Sequence, residues 1–101
     1  MPDGLIATVE KLITPAYQAV HDLQIIVPRQ LKILGFSNLP SAAILQPSLT
    51  TMTQPAFEMG VAAATALFKA LTKNNSQLKA ETIILPSSLI PRMSTKVVPS
   101  V

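Results

Sequence analysis

The sequence has no cysteine and no tryptophan, one histidine and only three glycines. Without cysteine there is no disulfide scaffold and no thiolate metal site, and a chain of this kind works in any redox compartment. The glycines stand apart at 4, 35 and 60, so no glycine-rich loop cradles phosphate. His21 is the lone histidine, beside Asp22, and reads as an exposed helix residue. The acids Asp3, Glu10, Asp22, Glu58 and Glu81 lie on different elements, and nothing in their spacing pairs two of them for acid–base work. Neither an enzyme nor a bound metal or cofactor is expected.

Charge is also scarce, at 13% of residues. The net charge is +3, but Lys11, Arg29, Lys32, Lys69, Lys73, Lys79, Arg92 and Lys96 are scattered. A nucleic-acid surface needs a clustered stripe that neutralises successive phosphates, and none is present. Long apolar runs are missing too. The stretch from Pro55 to Leu71 carries Glu58 and Lys69 and falls short of the roughly 20 apolar residues that span a bilayer. Met1-Pro2-Asp3-Gly4 has no signal-peptide character. The expectation is a soluble, cytoplasmic chain without a membrane partner.

What is there is aliphatic. Apolar residues make up 49% of the chain and aromatics only 4%, so a folded chain is expected, with a core built from Ile, Leu, Val and Ala. A unit of 101 residues buries a limited fraction of its surface. Its positive mean hydropathy predicts that some apolar surface meets a partner.

Alternating segments define the class. Leu5-Ile6-Ala7-Thr8-Val9 is a continuous apolar run, as in a strand buried on both faces. Ala16, Ala19, Val20 and Leu23 recur at helical spacing, with a helix start near either Glu10 or Thr14-Pro15. Leu31 to Phe36 reads as a second strand, and the βαβ unit so formed implies parallel strands. Pro40 and Pro47 mark an irregular connection, and Thr50-Thr51-Met52-Thr53 is short and β-prone. Phe57, Val61, Ala64, Phe68 and Leu71 form the stripe of a long helix after Pro55. Glu81 to Leu85 is a further expected strand, and Met93 to Val101 a frayed end. The fold class is α/β.

The ordered segments resemble the C-terminal third of sensor domains in the lactose-repressor family of bacterial transcriptional repressors. The resemblance rests on Pro2-Asp3 with its apolar strand, Val27-Pro28, Gly35-Phe36-Ser37-Asn38, Pro47-Ser48-Leu49-Thr50-Thr51-Met52-Thr53-Gln54, Leu85-Pro86 and Arg92, and it covers nearly the whole chain. It implies a fragment of a type I periplasmic-binding-protein-like bilobal domain, with parallel strands and flanking helices. Residues 1–95 are then an incomplete portion of the sensor domain, and 96–101 a flexible tail.

The resemblance also implies a ligand site at Val9, Glu10, Ser37, Asn38 and Gln54, and departures within it. Val9 stands where the family has asparagine, Ser37 where it has aspartate after Gly-Phe, and Glu10 replaces an aspartate. A carboxylate–asparagine pair offers sugar hydroxyls donors and acceptors together, which Val9 does not. A dimer contact is implied at Tyr17, Ile44 and Leu45. The implied partners are a second copy, a small-molecule effector such as a sugar, and operator DNA reached only through an N-terminal helix-turn-helix that these residues do not contain. Two alternatives are a solute-binding receptor of a sugar transport system and a stand-alone self-association module.

Overall fold

The structure is a computed structural model and describes residues 2–72 and 82–97. Two compact units make it up: Met1–Gln54 with Ser88–Val101, and Pro55–Ser87.

The first unit is a four-stranded sheet in the order β1 (Gly4–Ala7), β2 (Lys32–Phe36), β3 (Thr50–Thr53), β4 (Ser88–Ile90). β1, β2 and β3 run parallel, with Ala7 opposite Gly35 and Phe36 opposite Met52, and β4 closes the edge antiparallel. A single 3-10 turn, Glu10–Leu12, leads into helix α1 (Ile13–Asp22), so the earlier of the two expected starts is the one used and Thr14-Pro15 is not the cap. Pro15 falls in the first turn of α1, where its missing N–H has no intrahelical acceptor to lose.

The core is aliphatic, as composition requires: Ala7, Ile13, Val20, Leu31, Ile33, Ala42 and Leu49, with Tyr17, Ile25, Val27 and Leu45 packed against it. The buried stripe of α1 is Ile13, Tyr17 and Val20, rotated from the expected one. Leu23 is 70% exposed because it is the C-cap, where the chain reverses. That reversal is a Schellman motif: Ile25 N–H bonds Val20 C=O at 2.9 Å and Gln24 N–H bonds His21 C=O at 3.2 Å. Gln24 occupies the left-handed position at φ 55°. A side chain with a Cβ is strained there, so Gln24→Gly is expected to raise stability by about 0.5–1 kcal/mol. A lower thermal midpoint for that variant would contradict the assignment.

The second unit holds helix α2 (Ala56–Thr72). Met59 N–H bonds Pro55 C=O at 2.9 Å in its first turn, and the Thr72 hydroxyl bonds back to Phe68 C=O at 2.9 Å. The expected strand from Glu81 to Leu85 is not seen over its described residues, 82–85. Glu81 is outside the described residues, and 82–87 carry no regular structure. A strand needs a ladder partner, and among the described residues this unit contains none. The end of the chain also differs from expectation. Met93–Thr95 is a 3-10 turn with Ser94 fully buried, and only 98–101 of the expected tail lie outside the described residues.

Candidate functional site

Parallel strands bring their carboxyl ends to one side of a sheet, and ligands of open α/β folds bind in the crevice there. Here the ends of β1, β2 and β3 lead into Thr8-Val9-Glu10, Ser37-Asn38 and Gln54. These segments, with Phe36, line one cavity of about 270 Å³. All five expected ligand residues therefore meet in one place. Thr8 and Phe36 were not anticipated, although each directly precedes an anticipated residue.

Hydrogen bonds lock the three loops together. Ser37, 4% exposed, donates its hydroxyl to Glu10 Oε1 at 2.9 Å and accepts Leu39 N–H at 3.0 Å. Asn38 N–H reaches the same Glu10 oxygen at 3.2 Å. The Asn38 amide clips the end of β3, donating Nδ2–H to Gln54 C=O at 2.8 Å and accepting Gln54 N–H at 2.7 Å. Ser37 N–H continues the ladder to Met52 C=O at 3.1 Å. Glu10 is the only charged residue in the lining. No group of three or more His, Cys, Asp or Glu that would hold a metal ion occurs among the described residues.

Gly35 sets the approach of α1 to β2 just before these loops. A Cβ there would lie 3.1 Å from both Ile13 Cδ1 and Leu49 Cδ2, so the Gly-Phe pair is a packing requirement as well as a loop entry. A second, larger cavity of about 560 Å³ lies at the C-terminal turn of α1 among Val20, His21, Asp22, Gln24, Ile25 and Ile26. It is bounded by one reversing loop and gathers no strand ends, so the strand-end cavity is the chemically organised one.

The expected dimer residues divide. Ile44 is 78% exposed, whereas Leu45 packs against the core. Tyr17 is half-buried, and its hydroxyl donates to Pro47 C=O at 2.6 Å. Burial pushes the Tyr17 phenol up to about 12. The fold thus favours the protonated phenol, and this contribution is complete below the unfolded value of about 10. It is lost as pH rises through the folded value. The urea midpoint of the protein is expected to fall over that alkaline range more steeply than that of Tyr17→Phe, and parallel profiles would refute the assignment. Tyr17 is the only tyrosine, so tyrosinate absorbance reports the same titration directly.

A parallel sheet whose carboxyl ends open on a loop cluster is an open α/β unit of the class that has its crevice at that end. The chain belongs to the periplasmic binding protein-like domain family, whose model matches residues 1–95, and its relatives are regulators of the lactose-repressor type. It is 32% identical over 94 residues to the ribose operon repressor of Halalkalibacterium halodurans, a match covering 93% of this chain and 28% of that protein. It is 27% identical over 95 residues to a lactose operon repressor of Rhizobium radiobacter, covering 94% of this chain and 81% of that one. The crystal structure of a lactose-repressor-family transcriptional regulator from Enterococcus faecalis with bound ribose superposes at a TM-score of 0.76 with 28% identity, over 91% of this chain and 34% of the other. The chain thus spans less than a third of the length of the Halalkalibacterium repressor. Among the described residues, no helix is long and apolar enough to cross a membrane.

Proposed function

We propose that residues 1–95 serve as part of the effector-sensing domain of a bacterial transcriptional repressor. The observation that carries this reading is the convergence of Val9, Glu10, Ser37, Asn38 and Gln54 on one cavity at the carboxyl ends of three parallel strands. At about 270 Å³ it is smaller than the roughly 300–1,000 Å³ of a complete small-molecule site, as one wall of a two-lobed cleft would be. The similarity to ribose and lactose operon repressors supports a small polar effector.

In this reading the protein acts in the cytoplasm as a homodimer, with the exposed Ile44 in the contact and Tyr17 and Leu45 behind it. Operator DNA is held by a separate helix-turn-helix segment. Effector in the cleft favours one lobe arrangement and shifts the population of dimers competent for DNA, with a coupling set by its differential affinity for the two states. No catalytic step is assigned.

The test is made on the protein as its own cells produce it. Its intact mass is expected to be several times the 10.8 kDa of these residues. It should also retard DNA from upstream of its own gene, with retention altered by effector. A product of 10.8 kDa that retains no DNA would sink the repressor reading.

A further inference from the structure

The polar groups of the strand-end cavity are unevenly committed. The Ser37 hydroxyl has given its proton to Glu10 Oε1 and taken Leu39 N–H. The Asn38 amide has spent one N–H and its carbonyl oxygen on the Gln54 backbone. Both residues frame the cavity with part of their capacity committed: Ser37 keeps one acceptor lone pair, and Asn38 one N–H and one acceptor lone pair. Glu10 differs. Its Oε1 is held by two donors, while Oε2 has no hydrogen-bond partner among the described residues. Thr8 and Gln54 add a hydroxyl and an amide, and Val9, 45% exposed, joins Phe36 as an apolar wall.

A carboxylate fixed through one oxygen and open at the other is a preorganised acceptor, and its strongest partner is a charged N–H donor. A neutral polyol presents hydroxyls that ask for donors as well as acceptors. Ser37 has no proton left to donate, Asn38 is half engaged, and Val9 supplies neither, so the open carboxylate oxygen is the strongest polar group of the lining. We infer that the site selects a ligand carrying an ammonium or amidinium group, which meets Glu10 Oε2 while an adjoining apolar portion lies against Val9 and Phe36. This inference rests on the reading of the cavity as the effector site.

Glucose and glucosamine form a matched pair of probes, because an ammonium replaces one hydroxyl when the amine is protonated below neutral pH. The intact protein, as its cells produce it, is titrated with each at constant ionic strength while the backbone amides of the cavity residues are followed by NMR. Glucosamine is expected to shift the amides of residues 8–10 and 36–38 saturably, with millimolar affinity. Glucose is expected to bind at least about ten-fold more weakly. Glu10→Gln keeps an acceptor for Ser37 and Asn38, so its spectrum should stay dispersed while the ten-fold preference disappears. Equal binding of the two sugars, or tighter glucose, at these amides overturns the ligand class and leaves the effector site standing. If neither sugar moves these amides, the effector-site reading falls together with the inference.

Discussion

Ser94→Ala is expected to lower the unfolding free energy by about 2–4 kcal/mol, read as a drop in urea midpoint at unchanged slope. Serine and alanine are nearly the same size, so the change removes hydrogen bonds without opening a cavity. Ser94 is completely buried. Its hydroxyl donates to Ile33 C=O at 2.5 Å and accepts Thr50 N–H at 2.8 Å, tying β2 and β3 to the segment after β4. Truncation strands both backbone groups where water does not reach, at about 1–3 kcal/mol for each orphaned group. Neighbouring bonds keep the segment from moving to compensate. Ser94 N–H is held by Ser48 C=O at 2.8 Å, Arg92 Nη1–H reaches Leu49 C=O at 2.8 Å, and the Thr50 and Thr95 hydroxyls meet at 2.6 Å. A loss below about 0.5 kcal/mol would mean that solvent enters freely and that the hydroxyl network is not a latch.

Gly35→Ala is expected to cost about 1–3 kcal/mol, a penalty of overpacking. The added methyl would approach Ile13 Cδ1 and Leu49 Cδ2 at 3.1 Å and Ile13 Cγ1 at 3.2 Å. Each neighbour would have to retreat by a few tenths of an ångström. Ile13 and Leu49 are 7% and 0% exposed and belong to the close-packed aliphatic core, so the strain passes into the α1–β2 contact. The compensating variant is Ile13→Val in the Gly35→Ala background, which removes the crowding terminal methyl. It should recover part of the loss, and a double variant no more stable than the sum of the two single effects would show that Gly35 is needed for another reason.

These two residues illustrate what is readable in a linear sequence. Apolar runs and turn residues sufficed to place β1, β2, β3 and α2, because propensity and spacing are local. They did not suffice for burial: β1 is exposed from Gly4 to Ile6 rather than covered on both faces, and the apolar stripe of α2 contains no buried residue. The same patterns misplaced the stripe of α1. Ala19 and Leu23 fit helical spacing as well as Ile13 and Tyr17 do, and the sheet beneath the helix chose the second set. The run from Glu81 to Leu85 looked like a strand because propensity is local, while its ladder partner must come from elsewhere. Ser94 looked like part of a frayed end, since a serine before a threonine carries no signal of burial. Its bonds cross 44 and 61 positions of sequence.

The strand-end site divides in the same way. Val9, Glu10, Ser37, Asn38 and Gln54 were identified by resemblance, and the structure brings them to one cavity with Thr8 and Phe36. Which of their polar groups remain open was decided by contacts 16 to 28 positions apart, from Asn38 to Gln54 and from Ser37 and Asn38 to Glu10. The sequence by itself determined an aliphatic, cysteine-free α/β chain, because composition and periodicity are properties of single segments. Only the tertiary structure decided which hydroxyls are latched, which face of α1 is buried and which carboxylate oxygen is left open. Each of those depends on groups far apart in the chain meeting at hydrogen-bond or van der Waals distance.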